Sequence, residues 1–187
     1  MRIVKTSLAG VLVIEPQVFD DKRGFFMETY HQKRYGESGI DKIFVQDNLS
    51  YSVQGTLRGL HYQHPHGQAK LVQVIMGKIF DVAVDIRLGS PTFGRWTGVY
   101  LSDENKCQLY IPEGFAHGFC VVSEKVVFTY KCSDFYTPES ERGILWSDPR
   151  IAVDWHIKTP LLSDKDGKYP CLKDVAEGTL PVYRDKT

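Results

Sequence analysis

No surplus charge of either sign marks this sequence: 23 basic side chains are matched by 23 acidic ones, mixed along its 187 residues. A footprint for nucleic acid or for an anionic membrane is therefore excluded, and the expected partners are small molecules or a second copy of the chain. Paired cysteines are missing too. Cys107, Cys120, Cys132 and Cys171 show no C-x-x-C spacing, and the first residues lack the basic-then-apolar pattern of a secretion signal. Together these features predict reduced thiols and a cytoplasmic setting. No apolar run approaches the roughly 20 residues that a spanning helix needs, so a membrane protein is not expected. Helical periodicity is scarce, and repeats and low-complexity linkers are absent.

What is present is a succession of short runs rich in Val, Ile, Phe and Tyr, each bounded by Gly, Pro, Asn, Asp or Ser. That pattern belongs to a sandwich or barrel. About ten strands are predicted: 11–15, 25–30, 43–48, 57–63, 71–76, 79–86, 98–101, 107–111, 116–122 and 125–132. One short helix is expected over 31–39, stopping at Gly39. The links Met76-Gly77-Lys78 and Ser123-Glu124 are short enough for hairpin turns and predict antiparallel pairing. The fold class that follows is all-β, a double-sheet jelly roll in one domain spanning 1–187. After Cys132 the texture changes, and the segment 133–187 is expected to pack across the barrel as loops and short helices.

The chemistry concentrates in Leu57–Gly77, which carries His61, His64 and His66 between Arg58 and Lys70, with a further histidine at His117 in the turn that follows Pro112. Read as a metal site, His64-x-His66 and Pro112-x-Gly114-x-x-His117 resemble the two cupin motifs. Lys70 occupies the position of the ligand glutamate, and a protonated amine repels a divalent ion and cannot ligate it. His64, His66 and His117 remain as a three-histidine alternative, beside the plainer reading of His64 and His66 as solvated loop residues. His61 differs because it lies within a strand. Alternation groups Leu57, Gly59, His61 and Gln63 on one face, Val126, Phe128, Tyr130 and Cys132 on another, and Lys70 with Val72, Val74 and Met76 on a third. Facing inward together, His61, Tyr130 and Lys70 would supply a base of near-neutral pKa, a phenolic acid and a cation. That set suits proton abstraction beside a carbonyl. Against it stand a hydrogen-bonded core tyrosine and a lysine snorkelling to water. Asp81 and Asp85 alternate onto one face, as an inward carboxylate pair or as a solvated or structural one; the second reading is preferred.

With these residues laid out, the sequence resembles the dTDP-4-dehydrorhamnose 3,5-epimerase family of cupin-type jelly rolls over nearly its whole length. The resemblance rests on Asp21-x-Arg23-Gly24-x-Phe26-x-Glu28, Gln46-Asp47-Asn48-x-Ser50, Leu57-Arg58-Gly59-Leu60-His61-Tyr62-Gln63 and Lys70-Leu71-Val72. It continues through Asp81-Val82-Ala83-Val84-Asp85-Ile86-Arg87, Ser90-Pro91-Thr92-Phe93-Gly94, Pro112-x-Gly114-Phe115-Ala116-His117-Gly118-Phe119 and Leu162-Ser163-x-Lys165-Asp166. It implies a dTDP-linked 4-keto-6-deoxy sugar as substrate, epimerised at C3 and C5 without cofactor or metal; epimerisation at C3 or C5 alone shares the same core motifs. It further implies His61 as base, Asp166 as its partner on the other ring nitrogen, Tyr130 as proton donor and Lys70 as the enolate-stabilising cation. Arg23, Glu28, Gln46, Asn48, Arg58, His117, Glu141 and Lys168 match substrate-contacting positions. A homodimer is implied as well, with N-terminal strands from about 1–50 exchanged so that Arg23 serves the partner's site. One conflict stands: Arg58 and His61 fall on opposite faces of an ideal strand. Either a bulge or twist at Gly59 reconciles them or Arg58 reaches around from the barrel mouth.

Overall fold

The computed structural model describes residues 1–184. In chain order the strands are β1 (Arg2–Lys5), β2 (Leu12–Glu15), β3 (Val18–Asp21), β4 (Gly24–Met27), β5 (Gln46–Val53), β6 (Leu57–Gln63), β7 (Lys70–Met76) and β8 (Lys78–Asp85). They continue as β9 (Trp96–Ser102), β10 (Gln108–Ile111), β11 (Phe115–Val121), β12 (Lys125–Cys132) and β13 (Glu141–Gly143). The one α-helix among the described residues, α1 (Gln32–Glu37), falls inside the predicted helical stretch. One sheet has the order β1-β2-β10-β7-β12-β5 and the other β13-β6-β11-β8-β9, while β3 and β4 form a separate hairpin. All the strand pairs in these sheets are antiparallel, which makes the fold the expected jelly roll.

The pairing partners differ from those expected at two links. Gly77 and Ser123-Glu124 do not close hairpins, because β7 and β8 lie in different sheets, as do β11 and β12. Each link is a corner where the chain passes from one sheet to the other. Gly77 suits that corner, with φ +89° and only 2.2 Å between the place of a Cβ and the carbonyl oxygen of Lys125. β5 also runs past its expected end at Asn48 as far as Val53, with Ser50 and Ser52 on the inward side of an edge strand. The polar alternation there signals a strand with one apolar outer face rather than a loop. The strands β1, β3 and β13 were not among those predicted.

The core between the sheets is built from alternate residues of both: Val72, Val74, Leu109, Val126 and Phe128 from one, Ile79, Ala83, Leu101, Phe119 and Val121 from the other. Each of these side chains larger than Ala83, once buried, contributes roughly 1.5–3 kcal/mol. A second core lies outside the five-stranded sheet, where Leu57, Leu60, Phe80, Val82 and Val84 meet Ile144, Ile151, Trp155, Leu172 and Leu180. The C-terminal segment thus packs across one sheet as loops and 3-10 turns, as its composition suggested. Buried Asp148 ties it together by accepting from the backbone N–H groups of Arg150 at 2.7 Å and Leu172 at 2.6 Å. At the end of the sheets opposite the Gly77 corner, Gln46, Lys70 and Cys132 stand side by side, and the candidate site residues gather there.

Candidate active site

A cavity of about 360 Å³ opens between the sheets, lined by Gln46, Asn48, Tyr130, Cys132 and Lys70 on one side and by His61, Gln63 and Glu141 on the other. The register explains the gathering. Cys132 pairs with both Gln46 and Lys70, and Tyr130 with Asn48, so β5, β12 and β7 present one inward row. Across the gap His61 lies between His117 on β11 and Gly143 on β13.

His61 and Asp166 meet although 105 residues separate them: Asp166 Oδ1 sits 2.5 Å from His61 Nε2. The carboxylate is 4 % exposed and the imidazole 32 %. Ser163 fixes the acid by donating its hydroxyl to Asp166 Oδ2 at 2.8 Å and accepting the Asp166 N–H at 3.1 Å. Burial pushes the Asp166 carboxyl up, but the hydrogen bond and charge of His61, with Ser163 and Arg58, outweigh it and hold the group below the usual carboxylate range. With Nε2 so engaged, Nδ1 is the ring nitrogen left to exchange a proton.

Tyr130 has its phenol pushed up by burial and by the Cys132 thiol and Glu141, against the opposing charge of Arg58, so it stays protonated. Lys70 shows the reverse. Burial pulls its ammonium below the ordinary lysine value, with Cys132, Asp81 and Glu141 resisting. Its Nζ stands 5.9 Å from the centre of the Tyr130 ring and, among the described residues, has no carboxylate in ion-pair contact. A phenol that keeps its proton and an unpaired cation thus share one wall.

Arg58 is resolved by Gly59. The alternation expected on β6 breaks there, since Leu57 joins Leu60 and Tyr62 in the outer core while His61 and Gln63 line the cavity. Gly59 has φ +137° and its missing Cβ would lie 2.5 Å from Gly118 Cα, and the ladder to β11 shifts register between His117 and Phe119. The extra residue turns Arg58 to the same side as His61, where its Nε donates to Ser52 Oγ of the opposite sheet at 3.2 Å.

The other predicted contacts divide into two groups. Gln46 Nε2 donates to Asn48 Oδ1 at 3.0 Å, both on the cavity wall. Glu141 accepts from the Tyr136 hydroxyl at 2.7 Å and pairs with Lys165, and Lys168 lies exposed at the far end of the turn that carries Asp166. His117 is buried at the narrow deep end of the cavity, its Nε2 within 3.0 Å of both oxygens of Asp81. That carboxylate therefore faces inward and is structural, and so is Asp85, held by Arg87, Ser90 and Thr92. Arg23 and Glu28 are not on the cavity of their own chain. Arg23 pairs with Asp21 at 2.5 Å on the exposed hairpin, and Glu28 pairs with Arg34.

The three-histidine alternative fails on geometry. His117 is taken by Asp81, His66 faces Asp134 at 3.8 Å, and His64 lines a separate groove. Among the described residues no three His, Cys, Asp or Glu side chains are placed to hold a metal ion. Gln63 and Gln68 line the cavity without having been among the predicted contacts. Gln63 carried a signal, since it shares the strand face of His61. Gln68 lies in a loop, where no periodicity applies.

A jelly roll that brings a carboxylate-bound imidazole, a protonated phenol and an unpaired lysine to one cavity defines a cupin-type isomerase equipped to move protons with side chains. The chain belongs to the dTDP-4-dehydrorhamnose 3,5-epimerase family, whose family model matches residues 5–174. It is 58 % identical over 168 residues to a dTDP-4-dehydrorhamnose 3,5-epimerase of Shigella flexneri, covering 89 % of this chain and 93 % of that one. The counterpart from Methanothermobacter thermautotrophicus is 51 % identical over 97 % of each chain. Among solved structures, a dTDP-6-deoxy-D-glucose-3,5-epimerase from Legionella pneumophila, crystallised with dTDP-4-keto-L-rhamnose, superimposes with a TM-score of 0.96 at 52 % identity. It covers 98 % of this chain and 99 % of its own.

Proposed function

We propose that this protein epimerises C3 and C5 of dTDP-4-dehydro-6-deoxy-D-glucose, giving dTDP-4-dehydro-L-rhamnose. The observation that carries the mechanism is that His61 and Tyr130 line one cavity from opposite sheets, with Lys70 beside the phenol. The C4 ketone acidifies the hydrogens on both neighbouring carbons. His61 Nδ1 takes the proton from C3, the electron pair moves into the enolate, and the oxyanion at C4 is stabilised by the Lys70 ammonium. Tyr130 returns a proton to the other face of the carbon, which inverts it. His61 then loses its proton to solvent, Tyr130 regains one, and the same steps run at C5. Asp166 holds the imidazole by Nε2 and stabilises the imidazolium formed midway.

Gln46, Asn48, Arg58, His117, Glu141 and Lys168 hold the sugar nucleotide in this reading, with guanidinium and ammonium groups opposite the pyrophosphate. Arg23 and Glu28 act on the site of a second copy. The β3–β4 hairpin supports this, standing apart from both sheets with Phe19, Phe25 and Phe26 exposed. So does the outer face of β5, where Leu49, Tyr51 and Val53 form an apolar row, with Ile75 also exposed on β7 of the same sheet. The four unpaired cysteines fit a cytoplasmic enzyme, and no helix among the described residues is long and apolar enough to cross a membrane.

The test is conversion of dTDP-4-dehydro-6-deoxy-D-glucose followed by NMR of the product. The expected product is inverted at both carbons, and His61→Asn should lower the rate by about 10²–10⁴-fold, the usual contribution of a general base. Undiminished turnover by His61→Asn would remove the base assignment, and inversion at a single carbon would restrict the activity to that centre.

A further inference from the structure

Two residues outside the machinery just described close on His61. Tyr169 sets its ring edge-on to the imidazole, with centroids 5.8 Å apart and planes at 67°. The same ring covers Gly143, the cross-strand neighbour of His61. A Cβ on Gly143 would lie 2.3 Å from Tyr169 Cε2 and 2.4 Å from Cζ, so the ring reaches its place only because residue 143 has no side chain. Tyr169 follows directly on the 3-10 turn Asp166–Lys168, and the next carbonyl, of Pro170, accepts the Leu145 N–H at 2.8 Å. One short turn, tied to the β13 segment, thus delivers both the carboxylate at Nε2 and the aromatic edge beside the ring.

We propose that Tyr169, seated on Gly143, is a positioning residue that fixes the plane of the His61 imidazole; the inference rests on His61 being the base. A single hydrogen bond at Nε2 sets the distance between ring and carboxylate but leaves the imidazole able to swing about that bond. The Nδ1 lone pair must point along the C–H bond at C3 and then at C5, and a misplacement of about 1 Å costs on the order of 10²-fold in rate. Tyr169 removes the swing by contact. Its hydroxyl, buried beside Lys165, plays no part in this, because the contact is made by the ring.

The experiment compares steady-state epimerisation and dTDP binding for Tyr169→Phe, Tyr169→Ala and Gly143→Ala in the full-length protein. Tyr169→Phe keeps the ring and is expected within about twofold of wild type. Tyr169→Ala should lower kcat by about 10–100-fold while the Kd for dTDP stays within about twofold. Gly143→Ala should lower kcat similarly, yet add nothing further in the Tyr169→Ala background, where no ring is left to displace. If Tyr169→Ala does not fold, Tyr169→Leu, which fills the space without a flat edge, is read in its place. An unchanged kcat in the ringless variant overturns the proposal. So does an equal loss in Tyr169→Phe, or a loss of dTDP binding matching the loss of rate. His61→Asn measured alongside separates the failures: if it is inactive while the ringless variant is normal, only the positioning role falls; if it is active, the base assignment falls.

Discussion

Lys70 owes its chemistry to where the fold places it. Burial pulls its ammonium below the ordinary lysine value of 10.5, and the nearby Cys132, Asp81 and Glu141 only partly resist. The unfolded chain therefore holds this proton to a higher pH than the folded one. Folding is penalised in full below the folded pKa, and the penalty fades as pH rises from there towards 10.5. Lys70→Met should accordingly raise Tm by a few degrees at pH 7 while the epimerase rate falls by about 10²–10³-fold, the cost typical of losing one oxyanion donor. Calorimetry and a rate assay on the same sample check both signs, and a lower Tm would contradict the account of the site. In the proposed mechanism the same burial predicts an alkaline limit for the reaction, because the enolate would lose its cation as pH climbs through the lowered lysine pKa. Asp166 behaves in the opposite sense. Held below the usual carboxylate range, it contributes stability above its unfolded pKa and loses it as pH falls through the folded one.

At the scale of the strand, β6 decides whether the site exists. Gly59 lets Arg58 and His61 face the same way, and its close approach to Gly118 leaves no room for a methyl group. Gly59→Ala should cost at least about 2 kcal/mol in urea unfolding, from overpacking and the positive φ together, and should weaken nucleotide binding. Gly36→Ala, in α1 with open space around it, is the control and should gain roughly 0.5–1 kcal/mol. The same strand shows what a sequence reveals and what it withholds. Alternation placed Lys70, Tyr130 and His61 on inward faces, because a two-residue period is written into each strand locally. It misassigned Leu57, because a one-residue slip at Gly59 depends on the β11 backbone, which lies nearly 60 residues away. The hairpins expected at Gly77 and Ser123 failed for a related reason: a short link fixes a reversal of direction but not whether the next strand stays in the sheet. Asp166 and His61 have no local signal joining them, and only the resemblance to a family paired them. Tyr169 and Gly143 carried none of either kind.

At the scale of the whole molecule, the N-terminal hairpin and the outer face of β5 leave large apolar side chains in solvent. Phe26 is 70 % exposed and Leu49 71 %. A second copy laid against this surface would cover the apolar row, and a stable interface of this kind buries about 1,200–2,000 Å². Leu49→Lys places a charge in that row, so light scattering should show its mass halved relative to wild type at micromolar concentration. Activity should drop with it, since Arg23 would no longer reach the neighbouring site. An unaltered mass would count against a second copy covering this surface.

The central claim, that base and acid act from opposite sheets on one carbon, is tested most directly in deuterated water with Tyr130→Phe. His61 can still remove and return a hydron from its own side, so the account predicts deuterium entering C3 of the substrate with retained configuration, while inverted product falls by about 10²–10⁴-fold. Inversion at the wild-type rate in Tyr130→Phe, or no deuterium in the recovered sugar, would contradict it.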